Sequence, residues 1–186
     1  MLQPSFWLPI EKVLFRLDSS SEVIFKEIKA VLNHFPTAPA LFDGLEEEYV
    51  RLFISDRRGI RAPLYASCYG AINSAERAPL MGEPALAMQE RFRSKGLSLA
   101  DDIGEPPDHL SIELEYLYFL LERGWAEDDD LLLKEAGQFA SEIMLPWVGQ
   151  LRQRLEAIET ENPFYPLITT LLSAFLKMIG EIKEGV

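Results

Sequence analysis

Hydrophobic residues recur every three or four positions along most of the chain, and strand-like alternation of polar and apolar positions is hard to find. Such spacing places apolar side chains on one face of an α-helix. The residues that form these stripes are Trp7, Ile10, Leu14 and Leu17; Ile24, Ile28, Val31 and Leu32; Leu41, Leu45, Tyr49, Leu52 and Phe53; Ala85, Met88 and Phe92; Leu110, Leu114, Leu117 and Leu121; Leu132, Ala136, Phe139 and Ile143; Val148, Leu151, Leu155 and Ile158; and Ile168, Leu171, Leu172, Phe175 and Ile179. The pattern predicts an all-α, single-domain helical bundle of roughly seven to nine helices over residues 1–186.

Several helix ends are marked by their residue types. Ser19 and Glu22 have the spacing of a capping box at a helix start. Gly96 is expected to end the helix that contains Met88 and Phe92. Asn162 is expected to cap the last helix, with a proline at its first position.

Two segments do not follow the helical pattern. Residues 56–84 hold several prolines and glycines together with two tyrosines, and residues 96–107 lead into the next predicted helix. Long irregular segments in a compact domain are usually functional or disordered, and the aromatic content of the first argues against disorder. If the helices pack as one bundle, we expect a groove at these two loops.

Charge and composition narrow the classes of partner. The chain has 30 acidic and 18 basic residues, a formal net charge of −12, which disfavours nucleic acid and anionic membranes and favours a cationic partner. Alternatively, the acidity serves only solubility. Cys68 is the only cysteine, so internal disulfides and paired-cysteine metal sites are excluded. With no secretory signal in its first residues and no apolar run of roughly 20 residues, the protein is expected to be cytoplasmic.

The segment EPPDHLSIELEYL, residues 105–117, combines a helix start with a cluster of titratable groups. Its prolines suit the entrance of a helix, and Asp108 is predicted to be the N-cap or a first-turn anion. His109 and Glu113 lie four residues apart, so their side chains share one helix face near the edge of the core. A partly buried Glu113 needs a partner, either His109, an arginine of this chain, or an arginine of a bound peptide. In the last case Glu105, Asp108 and Glu113 form an acidic rim beside an apolar floor.

Other chemistries find little support in the sequence. His34 and His109 are the only histidines and the HExxH pattern is absent, so a metal site is not expected. Cys68 has no local activating cluster, and a buried, inert thiol is the simpler interpretation. The phosphate-binding pattern GxxxxGK[ST] is also absent. A nucleotide-hydrolysing enzyme, with His109 and carboxylates as acid and base, is kept as an alternative, but neither enzymatic activity nor a cofactor is expected.

Two tyrosines in the first irregular segment admit two interpretations. Tyr65 and Tyr69 either fill the core beneath the loop or line a peptide groove, where an apolar ring with a polar tip suits an interface.

The order of four short motifs resembles a known family. EYVRLF (48–53), PLYASCY (63–69), PLMG (79–82) and the segment at 105–117 follow one another as in the TorD/DmsD family of cytoplasmic chaperones, also called redox enzyme maturation proteins. The resemblance implies an all-helical single domain that is not an enzyme. It also implies binding of the twin-arginine leader and apo form of the catalytic subunit of a molybdenum-cofactor oxidoreductase, so that cofactor is inserted before export.

The resemblance also implies which residues bind the leader. The positions that match the family motifs are Tyr65, Tyr69, Gly82, Glu105, Pro106, Asp108 and His109. The chain departs from the family at Ala66, where a glutamate is frequent, and at Cys68, where a β-branched residue is usual.

Residue chemistry and resemblance combine into one hypothesis. Glu105, Asp108 and Glu113 are expected to receive the leader arginines, because a carboxylate can bind guanidinium through two hydrogen bonds. Tyr65 and Tyr69 would contact the apolar part of the leader. An assembly chaperone for a non-exported nitrate-reductase-type enzyme is the main alternative. Monomer, homodimer and domain-swapped homodimer are all compatible with the sequence.

Overall fold

The computed structural model describes residues 19–55, 59–69, 82–100, 104–160 and 162–182. Within these ranges the chain is helical, and its single extended pairing is an isolated antiparallel bridge. The predicted all-α class is therefore confirmed. Across the same ranges no helix is long and apolar enough to cross a membrane.

Seven α-helices make up most of the described structure. They are α1, Ser19–His34; α2, Ala38–Tyr49; α3, Glu83–Ser94; α4, Leu110–Glu127; α5, Asp130–Gln138; α6, Leu145–Glu156; and α7, Phe164–Glu181. A π-helical segment, Val50–Ile54, follows α2, another, Phe139–Met144, joins α5 to α6, and Ala66–Tyr69 forms a 3₁₀ turn. Since α5 and α6 belong to one continuous helix, the described residues hold six uninterrupted helices, slightly fewer than predicted. The stripe from Trp7 to Leu17 lies outside the described residues.

Two of the predicted helix ends are found where the residue types place them. The side-chain oxygen of Asn162 accepts the N–H of Phe164 at 3.1 Å, so Asn162 caps α7 as predicted. After α3 ends at Ser94, Gly96 takes a positive φ of 68°, the left-handed conformation that favours glycine.

The junction of α5 and α6 differs from the prediction of two separate helices. The N–H of Leu145 bonds the carbonyl of Ala140, five residues back, so one wide π turn carries the helix onward. The extra residue in this turn rotates the apolar stripe around the helix axis. Met144 is consequently buried while Ile143, assigned to the core from its spacing, is exposed.

The described residues group into two compact units. The first takes in the described residues of Met1–Ala62 and Leu151–Met178, and the second those of Pro63–Gln150 and Ile179–Val186. The single domain over 1–186 stays a prediction.

The core of the second unit is formed around α4. Tyr116 is buried, with its ring edge-on to Phe92 and Phe139, and its hydroxyl donates to Glu135 at 3.0 Å. Helices α4 and α5 approach closely because Gly124 has no side chain. A Cβ atom there would lie 2.7 Å from Leu133.

The EYVRLF segment has a structural role in the first unit. Glu48 is buried and accepts two hydrogen bonds from Arg51, at 2.7 and 2.6 Å, and one from the Thr160 hydroxyl. Burial alone would raise the pKa of Glu48, but these hydrogen bonds and the charges of Arg51 and Arg61 together hold the pKa below its usual value. Glu48 is therefore an ionised carboxylate that ties the end of α2 to the segment before α7.

Candidate functional site

The loop at 63–69 is fastened to the start of α4 by backbone hydrogen bonds. The N–H of Ala66 donates to the carbonyl of Asp108 at 3.0 Å, and the N–H of Leu110 donates to the carbonyl of Leu64 at 2.8 Å. These bonds form the isolated bridge between Tyr65 and His109. The first irregular segment therefore lies against the start of α4, while the expected groove between the two irregular segments stays a prediction.

Asp108 does not cap α4. The N-cap is His109, whose Nδ1 accepts the N–H of Ser111 at 3.2 Å and lies 2.7 Å from its hydroxyl. Asp108 is fully buried, and its Oδ2 accepts the N–H of Ser67 at 2.8 Å. The predicted cap was wrong by one residue, because the Asp108 carboxylate is used to hold the loop instead of the helix N-terminus.

The imidazole of His109 lies beside the ring of Tyr65. Their ring centroids are 5.1 Å apart in an edge-on arrangement. Burial lowers the pKa of His109, and the nearby carboxylates of Glu105 and Asp108 offset this only in part. A neutral imidazole suits its N-cap role, since Nδ1 must carry a lone pair to accept a hydrogen bond.

Tyr65 and Tyr69 have different surroundings. Tyr65 is half-buried and its hydroxyl donates to the exposed carboxylate of Glu105 at 2.6 Å. Tyr69 is buried, donates to the carbonyl of Pro63 at 2.7 Å, and packs its ring 5.6 Å from that of Trp147. Tyr69 therefore fills the core, whereas Tyr65 lies at the surface.

Glu113 is fully buried, not at the core edge, and its partner is neither histidine nor arginine. Its Oε2 accepts the indole N–H of Trp147 at 2.9 Å, while its Oε1 has no hydrogen-bond partner among the described residues. Burial raises the pKa of Glu113 to about 8, against the hydrogen bond from Trp147, and the charge of Asp108 adds to the rise while that of Arg91 opposes it. The carboxyl is thus mostly protonated at neutral pH.

The predicted acidic rim is consequently wrong in two of its three members. Asp108 and Glu113 are both buried, and Glu105 alone of the three is exposed. Pro106 is half-buried beside them, and Gly82 directly precedes α3 as its N-cap residue.

A cavity of about 320 Å³ lies in the second unit between α3, α4 and the helix that follows α5. It is lined by Ala66, Tyr69, Glu83, Pro84, Ala87, Met88, Arg91, Glu113, Glu142, Ile143, Pro146, Trp147 and Gln150. Of the eight residues assigned to peptide binding from the sequence, Tyr69 and Glu113 line it, whereas Tyr65, Glu105 and His109 lie together on the surface near the α4 start. We call the cavity the Glu113 cavity, and we call the surface formed by Tyr65, Glu105 and His109 the Tyr65 surface. Ala66 connects them, since it follows Tyr65 and lines the cavity.

Sequence reasoning missed Trp147 and Arg91 as members of the site. A signal for Trp147 was present, because an aromatic ring with a polar N–H stands in an otherwise aliphatic stripe and must find an acceptor when buried.

Cys68 is half-buried, not buried as expected. In the described part of the chain, no group of three His, Cys, Asp or Glu side chains could hold a metal ion.

Known proteins resemble the chain in sequence and in fold. Residues 16–153 match the family described as "Nitrate reductase delta subunit". "Chaperone protein TorD" from Psychrobacter sp. (strain PRwf-1) is 29% identical over 154 residues, which cover 81% of this chain and 67% of the relative. "Chaperone protein TorD" from Vibrio atlanticus (strain LGP32) is 30% identical over 159 residues, covering 83% and 71%.

A solved structure also has the same fold. The crystal structure named for a redox enzyme maturation protein of Archaeoglobus fulgidus superposes with a TM-score of 0.51 at 23% identity, covering 86% of this chain and 85% of the other.

Proposed function

Because the chain belongs to the nitrate reductase delta subunit family and is a member of its TorD chaperones, we propose that it binds the twin-arginine leader and apo form of a molybdoenzyme in the cytoplasm. Binding promotes cofactor insertion into the catalytic subunit and delays export until the enzyme is folded. The matched relatives are named chaperones, which supports a role without catalysis.

The observation that carries the proposal is the adjacency of the Tyr65 surface and the Glu113 cavity. Glu105 presents an exposed carboxylate held by the Tyr65 hydroxyl, and Ala66 leads from there to a largely apolar cavity wall. A twin-arginine leader has two cations followed by an apolar stretch. An exposed carboxylate and largely apolar space therefore occur beside one another, as such a peptide requires.

The remaining motif residues support this site from beneath. Asp108 holds the loop through Ser67, and His109 caps α4 while its ring supports Tyr65. Because Nδ1 of His109 accepts the N–H of Ser111, a neutral ring carries its proton on Nε2, so a role as the base of a nucleotide-hydrolysing enzyme is less well supported than a binding role.

Calorimetry with synthetic peptides tests the proposal. The probe has two adjacent arginines followed by about twelve apolar residues, and its partner has two lysines instead. We expect the arginine peptide to bind at least about tenfold more tightly, because guanidinium can pair with a carboxylate through two hydrogen bonds. Glu105→Gln should weaken binding of the arginine peptide several-fold, whereas Glu115→Gln, on the exposed face of α4, should not.

A second function is favoured by the family description, which names the delta subunit of nitrate reductase. In that case the protein assembles a non-exported nitrate-reductase-type enzyme and contacts the enzyme body. Equal, weak binding of the two peptides, together with tight binding to a catalytic subunit that lacks a leader, would favour this function over leader recognition.

A further inference from the structure

The Glu113 cavity has a single buried carboxyl on an otherwise largely apolar wall. Met88, Pro146, Tyr69 and Trp147 line the same cavity as Glu113, and Trp147 donates a hydrogen bond to it. A volume of about 320 Å³ accommodates a long side chain but not a folded segment. The cavity is therefore large enough for one long side chain.

One oxygen of this carboxyl has no hydrogen-bond partner among the described residues. Trp147 donates to Oε2, and Oε1, which is completely buried, meets no donor among the described residues. A buried polar atom without a partner is costly, and it persists where a ligand or a proton satisfies it. Glu113 is one of the residues that line the cavity, so the unpartnered oxygen belongs to a residue that borders this space.

The charged side chains at and beside the Glu113 cavity are mostly carboxyls. Asp108 lies on the preceding turn, and Glu83 from α3 and Glu142 from the π segment line the same cavity. The one cationic group lining the cavity among the described residues is Arg91, whose guanidinium donates to the carbonyl of Ala87 and lies 5.7 Å from the Phe139 ring centroid. Carboxyl groups thus outnumber the guanidinium, which is already held by its own neighbours.

We propose that the Glu113 cavity takes the cationic tip of a client side chain, a guanidinium or an ammonium, in exchange for the proton of Glu113. The apolar stem of that side chain lies against Trp147 and Met88, and its N–H groups bond Oε1. The carboxyl O–H bond breaks, the proton passes to solvent, and a carboxylate–cation pair forms. This inference rests on the proposed function, because the cation belongs to the bound client peptide.

Proton exchange makes the affinity depend on pH in a specific direction. Burial raises the pKa of Glu113 to about 8, so at neutral pH the free protein carries the proton that the cation must displace. About one proton is then released per peptide bound at pH 7, and affinity rises by up to tenfold per pH unit until about pH 8. A rigid, always ionised acidic site would show neither effect.

Calorimetry of the Arg-Arg peptide in buffers of different ionisation enthalpy measures the protons released. At pH 7 we expect about one proton for the unmodified protein and close to none for Glu113→Gln, which keeps the shape and the acceptor for Trp147. Glu115→Gln on the exposed face of α4 is the matched control and should retain the release. Ala87→Phe, which fills the cavity from α3 and leaves Glu113 in place, should abolish the release and weaken binding at least tenfold.

The outcomes separate this inference from the proposed function. Tight binding without proton release, or equal release by the Glu113→Gln protein, overturns cation exchange and leaves leader binding intact. Undiminished binding by a folded Ala87→Phe protein also overturns it. If the peptide binds none of these proteins, leader recognition fails and the exchange fails with it.

Discussion

Replacing Glu113 with glutamine should change how the stability of the protein depends on pH. Burial raises the pKa of this carboxyl from 4.5 to about 8 in the folded chain. Between these two values the folded chain keeps a proton that the unfolded chain releases, so the unfolded state binds fewer protons. The contribution of Glu113 to stability is therefore complete below about pH 4.5 and is lost progressively as the pH rises to about 8.

The magnitude follows from the pKa difference. At about 1.4 kcal/mol per pKa unit, the free energy of unfolding should fall by about 3–4 kcal/mol between pH 5 and pH 8 on account of this group alone. Glutamine has nearly the same volume, accepts the Trp147 N–H through its carbonyl, and does not titrate. The variant should consequently lack this fall, and it should become more stable than the unmodified protein at the alkaline end.

Urea unfolding followed by far-UV circular dichroism at constant ionic strength measures this difference. The quantity to compare is the free energy of unfolding of each protein at several pH values between about 5 and 8. Glu115→Gln is the control, because it removes a carboxyl from the exposed face of the same helix. The assignment of a protonated, buried carboxyl would be contradicted if the free energies of unfolding of the two proteins changed with pH in parallel. It would also be contradicted if Glu113→Gln were the less stable protein at the alkaline end.

Substitutions at three further positions test the structural roles found for the motifs. Asp108→Ala should lower the free energy of unfolding by about 1–3 kcal/mol in urea titrations, because the N–H of Ser67 loses its acceptor in a buried setting. Arg51→Ala should cost about 1–3 kcal/mol at pH 7, and less as the pH falls through the lowered pKa of Glu48, since a protonated carboxyl no longer needs the cation. His109→Ala should lower the free energy of unfolding by about 1 kcal/mol above pH 7, and by less below pH 6. His109→Asn should largely retain stability, because asparagine is also a favourable N-cap residue. Hydrogen exchange of the first turn of α4 measures both effects.

Helices could be predicted because their signal is local. The spacing of Ala85, Met88 and Phe92 describes one face of a helix, and all three are buried. Caps such as Asn162 depend on neighbours two or three residues away and were equally visible. The π segment at Phe139–Met144 was not, because a single extra residue per turn breaks the stripe and mimics the end of a helix.

The contacts of the helix-start motif differ from those expected from the sequence, and the binding site stays a prediction. The first irregular segment does lie against the start of α4, where the titratable cluster stands. The partners of Asp108 and Glu113, however, are Ser67 and Trp147, which lie 41 and 34 residues away along the chain. Burial depends on such distant contacts, so spacing within one helix could not distinguish an exposed acidic rim from buried, hydrogen-bonded carboxyls.

This distinction decides how binding experiments must be interpreted. A loss of leader binding in Asp108→Ala would not identify Asp108 as an arginine ligand, because the substitution also releases the loop that carries Tyr65. Glu105→Gln is more informative, since Glu105 is exposed and its removal costs at most the hydrogen bond from a surface tyrosine. If Glu105→Gln weakens binding at unchanged stability, the Tyr65 surface contacts the peptide directly. If only the Asp108 substitution does so, in proportion to its destabilisation, the helix-start motif acts through the architecture of the loop, and direct recognition must lie in the Glu113 cavity.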